Sequence, residues 1–146
     1  KFQKNKKEIL KKLKSFSVNK DSYILVSKKY KEVPLAIENM NAGIFLLEPF
    51  YSKIASAPTK LGEFLAMGIP CVTSKNIGDV ESILDEGDCG VVLSSFDDEY
   101  VEKCVKDLIN LSLDLEVKQR CRNTAKKYFS LKEGVVKYSE LYKKLC

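Results

Sequence analysis

The most constraining feature of the sequence is the run over residues 56–74, SAPTKLGEFLAMGIPCVTS. Its pattern predicts a loop, a short helix with Pro58 at its first position, and a buried strand over residues 71–73. Gly68 ends the predicted helix, and Pro70 prevents its continuation. A short apolar strand in this setting is typical of a parallel sheet that helices cover on both faces.

The N-terminal end of this helix is the leading candidate for a binding site. In a parallel α/β sheet, ligands bind where loops meet the N-terminal ends of helices. The exposed N–H groups of Thr59 and Lys60 and the positive end of the helix dipole would hold an anion. The Lys60 ammonium adds a full charge, although an ordinary surface lysine is an equally good interpretation. The candidate site covers residues 56–63, with Ser56 before the helix and Pro58 at its start.

Glu63 is the one acidic residue of this helix, whose other positions after Lys60 are mostly apolar. A solvent-facing helix position would explain such a residue without any ligand. Because Gly62 and Glu63 together interrupt the apolar run, we favour a binding role for the Glu63 carboxylate.

Two flanking segments carry further polar residues. Ser52 and Lys53 lie in the predicted loop over residues 48–57 and could reach a sugar or a phosphate. In the sequence IGDVE, we favour a helix start with Asp79 as its cap over ligand contacts by Gly78 or Glu81.

Length and composition restrict the class of protein. The 146 residues, 45% hydrophobic and 31% charged, predict one globular α/β domain over residues 1–146. No apolar run approaches the roughly 20 residues of a membrane span, and no signal peptide is apparent at the N-terminus. There is no histidine, which excludes Ser-His and Cys-His nucleophile pairs. The five cysteines lack C-x-x-C spacing, which predicts free thiols, no zinc site and a cytoplasmic protein.

Charge is concentrated at the N-terminus. Residues 1–20 hold eight lysines and one glutamate, a local charge of +7 against +5 for the whole chain. Ile9, Leu10, Leu13 and Phe16 recur at helical spacing and predict an amphipathic helix over residues 4–16. Attraction to an anionic membrane surface is one interpretation. We favour an outer helix whose apolar stripe packs on the sheet, and nucleic-acid binding has less support because no aromatic residues alternate with the lysines.

The remaining pattern alternates strands and helices, which predicts a doubly wound, Rossmann-like parallel sheet with right-handed crossovers. The expected strands cover residues 23–27, 43–47, 71–73 and 90–93. The expected helices, besides those described above, cover residues 32–40, 78–85, 97–111, 114–129 and 131–145.

Three motifs occur in a fixed order: K-L-x-E-F-L-A-x-G-I-P over residues 60–70, I-G-D-V-E over residues 77–81 and G-x-C-G-V-V over residues 87–92. With the strands around them, they resemble the C-terminal, donor-binding domain of retaining GT-B glycosyltransferases, the large group once called glycosyltransferase group 1. The resemblance extends from about residue 23 to the C-terminus.

The resemblance implies roles for individual residues. In the family, a glutamate, seven residues and a second glutamate mark the donor site. The second corresponds to Glu63 and implies hydrogen bonds to the ribose hydroxyls of the donor nucleotide. Backbone dipoles of Thr59 and Leu61 and the charge of Lys60 would then meet the diphosphate. The first glutamate falls on Ala55, which puts the contacts to the donor sugar in doubt.

The resemblance also implies the wider function. The donor would be a nucleotide-diphosphate sugar used without an obligatory metal, and the acceptor a glycan, lipid or other molecule. The pathway would be surface polysaccharide or glycoconjugate biosynthesis at the inner face of the membrane. The acceptor-binding domain of the family precedes such a segment, so we expect the chain alone to be an inactive fragment. The alternative is a non-catalytic nucleotide-binding or interaction module derived from a glycosyltransferase.

Overall fold

The computed structural model describes residues 2–48 and 50–145, with side chains from residue 6 onward. The chain divides into two compact units, Lys1–Ala36 and Ile37–Cys146, which are described separately below. The single domain expected over residues 1–146 stays a prediction.

The first unit is mostly helical. Helix α1 covers Phe2–Ser15, close to the amphipathic helix expected over residues 4–16, and two short 3-10 turns follow at Lys20–Ser22 and Tyr30–Glu32. Helix α2, Val33–Ile37, is shorter than the helix expected over residues 32–40 and continues into the second unit.

The strand expected over residues 23–27 is wrong. Residues 23–29 have no regular secondary structure, and the side chains of Ile24 and Val26 are 87% and 57% exposed. High β propensity produces a strand only where a neighbouring strand supplies hydrogen-bond partners and an apolar surface. No strand is assigned among the described residues of this unit, so the apolar run remains unpaired.

The second unit alternates strands and helices as expected. In chain order its elements are β1 (Gly43–Phe45), α3 (Tyr51–Ile54), α4 (Thr59–Ala66), β2 (Cys71–Ser74), α5 (Val80–Gly87), β3 (Gly90–Leu93), α6 (Asp98–Leu113), α7 (Val117–Phe129) and α8 (Leu131–Leu145). Helix α3 lies within the segment that the sequence predicted to be a loop.

The three described strands form one parallel sheet in the order β1-β2-β3. Cys71 of β2 is paired with Gly43 of β1 and with Gly90 of β3. Side chains alternate between the two faces of each strand, so Cys71 and Val72 enter different apolar clusters.

Helices cover both faces of this sheet. The larger cluster contains residues of α4, α5 and α7 together with Phe45 and Cys71 on the sheet. The smaller cluster contains Val72, Leu93 and two residues of α6. A parallel sheet with helices on two sides confirms the α/β, Rossmann-like class that the sequence predicted.

Helix α4 packs closely against α7. Gly62 is buried, and a Cβ atom at this position would lie 2.9 Å from the Phe129 ring of α7. Gly68, just after α4, has φ +78° and would place a Cβ 3.2 Å from the backbone oxygen of Lys118. Packing therefore explains Gly62, because the absence of a side chain there lets α7 approach the backbone of α4.

Several helix boundaries differ from the sequence prediction. Pro58 is not the first helical residue of α4 but the cap before it, with ψ 111°, and its carbonyl accepts the N–H of Leu61 at 3.1 Å. Helix α6 ends at Leu113, and the carboxylate of Asp114, the cap residue after it, accepts the N–H of Glu116 and pairs with Arg120 at 2.7 Å. These two interactions lower the pKa of Asp114.

Four cysteines, Cys71, Cys89, Cys104 and Cys121, are free and buried, as predicted. Cys146 lies outside the described residues. Burial, with the nearby Cys89, raises the pKa of Cys71. A hydrogen bond with Cys89 is the main cause that raises the pKa of Cys121, and burial is the second cause. Because the thiolate is the reactive form, the buried Cys71 and Cys121 thiols are protected both sterically and chemically.

We predict that Gly62→Ala lowers the free energy of unfolding by about 1–3 kcal/mol, the usual cost of overpacking a core. The added methyl group would clash with the Phe129 ring. Helix propensity alone predicts the opposite sign, because Ala exceeds Gly by about 1 kcal/mol. Urea denaturation of both proteins would measure the difference.

Gly134→Ala in α8 is the matched control, since no atom lies within 4 Å of the added Cβ. It should raise the free energy of unfolding by up to about 1 kcal/mol. Equal changes in the two variants would contradict the packing explanation for Gly62.

We also predict that a chromogenic thiol reagent reacts with all five cysteines of the denatured, unreduced protein. In the native protein at pH 8, Cys71, Cys89, Cys104 and Cys121 should react slowly because they are buried. Three or fewer reactive thiols after denaturation would indicate a disulfide and contradict the prediction that all five cysteines are free.

Candidate functional site

The candidate site lies at one edge of the sheet. Because the strands are parallel, their carboxyl ends share this edge, and the loops that follow β1, β2 and β3 begin there. The loop after β1 continues through α3 to the N-terminal end of α4. The structure therefore places residues 56–63 in the region where ligands of open α/β sheets bind.

The first turn of α4 presents two backbone donors. Thr59 and Lys60 are exposed, and their N–H groups have no backbone acceptor among the described residues. The N–H of Leu61 donates to the Pro58 carbonyl at 3.1 Å, and the Leu61 side chain is only 1% exposed. Leu61 thus anchors the helix in the core, while Thr59 and Lys60 remain as the donors for an anion.

Lys60 and Glu63 lie on the same exposed side of α4. They are three residues apart, which places neighbouring side chains on one helix face. Within the described chain, neither side chain forms an ion pair. A cation, two backbone donors and a carboxylate are therefore available within one and a half helical turns.

The segment before α4 is more ordered than a plain loop. Ser56 is half-buried, its N–H donates to the Lys53 carbonyl at 3.0 Å, and its hydroxyl donates to the Ser52 carbonyl at 3.4 Å. Ala55 is exposed and ends α3 with φ −100°. The position of the absent family glutamate therefore lies on a different element from Glu63.

The turn between β2 and α5 contacts this segment directly. The N–H of Gly78 donates to the Ile54 carbonyl at 2.9 Å. Gly78 has φ +51°, and a Cβ at this position would lie 2.1 Å from the Ser56 carbonyl oxygen. The sequence alone suggested only a helix start here. A glycine four residues after the end of β2 was the one available signal of this close approach.

Asp79 and Glu81 have ordinary structural environments. Asp79 is the cap residue before α5, but its side chain makes no capping hydrogen bond, and its carbonyl accepts the hydroxyl of Ser82 at 2.8 Å. Glu81 lies 4.0 Å from the Lys75 ammonium, with both side chains about half exposed. The positional part of the cap prediction is confirmed, and its side-chain part is wrong.

The described residues contain no group of three or more Cys, Asp or Glu side chains placed to hold a metal ion. Nor, over the same residues, is any helix both long enough and apolar enough to cross a membrane. Donor binding without a metal stays a prediction.

Comparison with known families assigns the fold to a functional class. The sequence model of the family described as Glycosyl transferases group 1 matches residues 3–128, which include the whole candidate site. The chain belongs to the group 1 glycosyltransferases. No match was found among curated proteins or among solved structures.

Membership in this family assigns glycosyl transfer as the general reaction. In this group 1 glycosyltransferase, the structure brings together Ser56, Pro58, Thr59, Lys60 and Glu63 at the carboxyl edge of the sheet, with the Leu61 side chain directed into the core. The contacts of these residues with a donor stay a prediction.

Proposed function

We propose that the chain binds a nucleotide-diphosphate sugar at the N-terminal end of α4 and takes part in transfer of the sugar to a glycan, lipid or other acceptor. The observation that carries this proposal is the exposed combination of the Thr59 and Lys60 N–H groups with the Lys60 ammonium and the Glu63 carboxylate. The family supports the reaction class, and the position at the sheet edge supports the site.

The diphosphate would bind at the exposed N–H groups of the first turn of α4. Departure of a nucleoside diphosphate leaves negative charge on the phosphate, and fixed dipoles with a nearby cation stabilise that charge. Thr59 and Lys60 supply the N–H groups, and Lys60 supplies the cation. These groups cost little reorganisation because Leu61, which is buried, fixes the helix beside them.

The ribose would contact Glu63. A carboxylate accepts hydrogen bonds from both hydroxyls of a ribose diol, and such charge-assisted bonds are stronger than neutral ones. Its exposed position on the same helix face as Lys60 suits a ligand that extends from phosphate to ribose along α4.

Contacts to the donor sugar are less complete than in the family pattern. Ala55 stands where the resemblance places a glutamate that helps to hold the sugar, and a methyl group offers no hydrogen bond. Ser52 and Lys53 in α3 carry polar groups one turn away and are the nearest candidates to compensate.

The cellular setting belongs to the same proposal. We expect a cytoplasmic protein, without an obligatory metal, that acts in surface polysaccharide or glycoconjugate synthesis at the inner face of the membrane. An acceptor-binding domain would form the other side of the cleft. Peripheral membrane contact through the lysines of helix α1 is the second interpretation of that helix, beside packing of its apolar stripe on the sheet.

A non-catalytic module is the second candidate, and Ala55 is the observation that favours it. Titration with a panel of nucleoside diphosphates and their sugar conjugates separates two versions of this candidate from the enzyme. An interaction scaffold binds none of them, whereas a nucleotide-binding module binds them but forms no product even when an acceptor-binding domain and an acceptor are supplied.

We predict that Glu63→Gln weakens binding of the best nucleoside diphosphate by about tenfold or more, since hydrogen bonds to charged groups contribute roughly 1.5–3 kcal/mol each. Lys60→Ala should weaken the diphosphate more than the free nucleoside, because the ammonium meets phosphate and not ribose. Isothermal titration calorimetry measures both affinities.

Glu116→Gln and Lys118→Ala are matched controls, because both residues are exposed at the start of α7, beside Gly68 at the end of α4 opposite the site. They should leave nucleotide affinity unchanged. If Glu63→Gln shows wild-type affinity and an unchanged melting temperature, Glu63 is an ordinary surface residue and the proposed ribose contact is wrong.

A further inference from the structure

We propose that Ser74 and Gly78 are positioning residues. They hold the segment before α4, residues 47–48 and 50–57, in the conformation needed for donor binding. Ser74 ends β2 and Gly78 lies in the turn after it, and the sequence pattern identified neither as a positioning residue. The inference rests on the proposed function, because it assigns a role in that same site.

Ser74 holds the beginning of the segment. Its hydroxyl oxygen accepts the N–H of Leu47 at 2.9 Å, across 27 residues of sequence, and Ser74 is only 3% exposed. Leu47 comes two residues after β1 and packs against the larger core cluster. Without this hydroxyl, a partly buried N–H would lose its acceptor, which native structures avoid.

Gly78 holds the end of the segment. Its N–H donates to the Ile54 carbonyl at 2.9 Å. The Ser56 carbonyl oxygen lies so close to the Gly78 Cα that a Cβ at this position would be 2.1 Å from that oxygen. Ile77, the preceding residue, is 1% exposed in the larger cluster and fixes the turn. The turn therefore determines where Ser56 lies, two residues before the α4 cap.

The segment needs such external contacts because it buries little surface of its own. Phe50, Tyr51 and Ile54 are 61%, 93% and 54% exposed, and α3 has only four residues. An unrestrained loop loses conformational entropy when a ligand orders it, and that cost lowers affinity. Contacts at both ends reduce this cost in advance and hold Ser56, the residue of the candidate site that precedes the α4 cap, beside the first turn of α4.

The test compares Ser74→Ala and Gly78→Ala with two controls. Thr73→Val removes the neighbouring hydroxyl of the same strand, which is buried and has no hydrogen-bond partner among the described residues. Gly68→Ala also places a side chain at positive φ, but at the opposite end of α4, where the nearest atom lies 3.2 Å away. It therefore controls for general destabilisation.

Two quantities are measured for each variant, well below its melting temperature. The first is amide hydrogen exchange of Leu47, residue 78 and residues 50–57 without ligand. The second is the affinity for the nucleoside diphosphate that the wild-type protein binds most tightly. We expect faster exchange and about fivefold to tenfold weaker binding in Ser74→Ala and Gly78→Ala, and wild-type values in Thr73→Val.

Unchanged exchange and affinity in Ser74→Ala would overturn the proposal, even if Gly78→Ala fails to fold. Equal loss of affinity in Gly68→Ala would also overturn it, because the effect would then follow stability alone. If the wild-type protein binds no nucleoside diphosphate, the proposed function fails, and the positioning role fails with it as a role in donor binding. Faster exchange in Ser74→Ala would still show that Ser74 orders the segment.

Discussion

The arrangement of the site depends on the packing of α4 between the sheet and α7. Leu61 and Leu65 are buried in the larger core cluster, and Gly62 lets the Phe129 ring approach the helix backbone. A side chain at Gly62 would force α4 away from α7. Because these contacts fix the rotation of α4 about its axis, they also determine that Glu63 faces solvent.

The same packing separates two kinds of residue within one short motif. The residues of K-L-G-E-F-L face the core or solvent with a period of about three to four residues, because a helix turns by 100° per residue. Lys60 and Glu63 are therefore free to meet a ligand, while the buried Leu61 supports them. Core packing and the proposed binding therefore use opposite faces of α4, so a substitution on the exposed face would test binding without disturbing the core.

Local sequence patterns predicted most of the second unit and little of its tertiary contacts. The periodicity and the Gly68–Pro70 stop signal identified α4 and β2, and the resemblance identified the family. The strand expected over residues 23–27 is absent because pairing requires a partner strand, which propensity does not supply. The contacts of Gly78 with Ile54 and Ser56 join segments more than 20 residues apart, and no local pattern encodes such a contact.

The proposed division of the site between α3 and α4 explains why alanine at the position of the first family glutamate, Ala55, is compatible with nucleotide binding. Ala55 ends α3, whereas Thr59, Lys60 and Glu63 belong to α4, which has its own attachment to the core through Leu61. The absence of a carboxylate at position 55 therefore removes none of the residues proposed to contact the nucleotide. The segment between the two helices is held from outside by the β2–α5 turn, so the position of α4 does not depend on side-chain contacts made by residue 55. The proposed sugar contacts and the proposed nucleotide contacts therefore belong to separate elements.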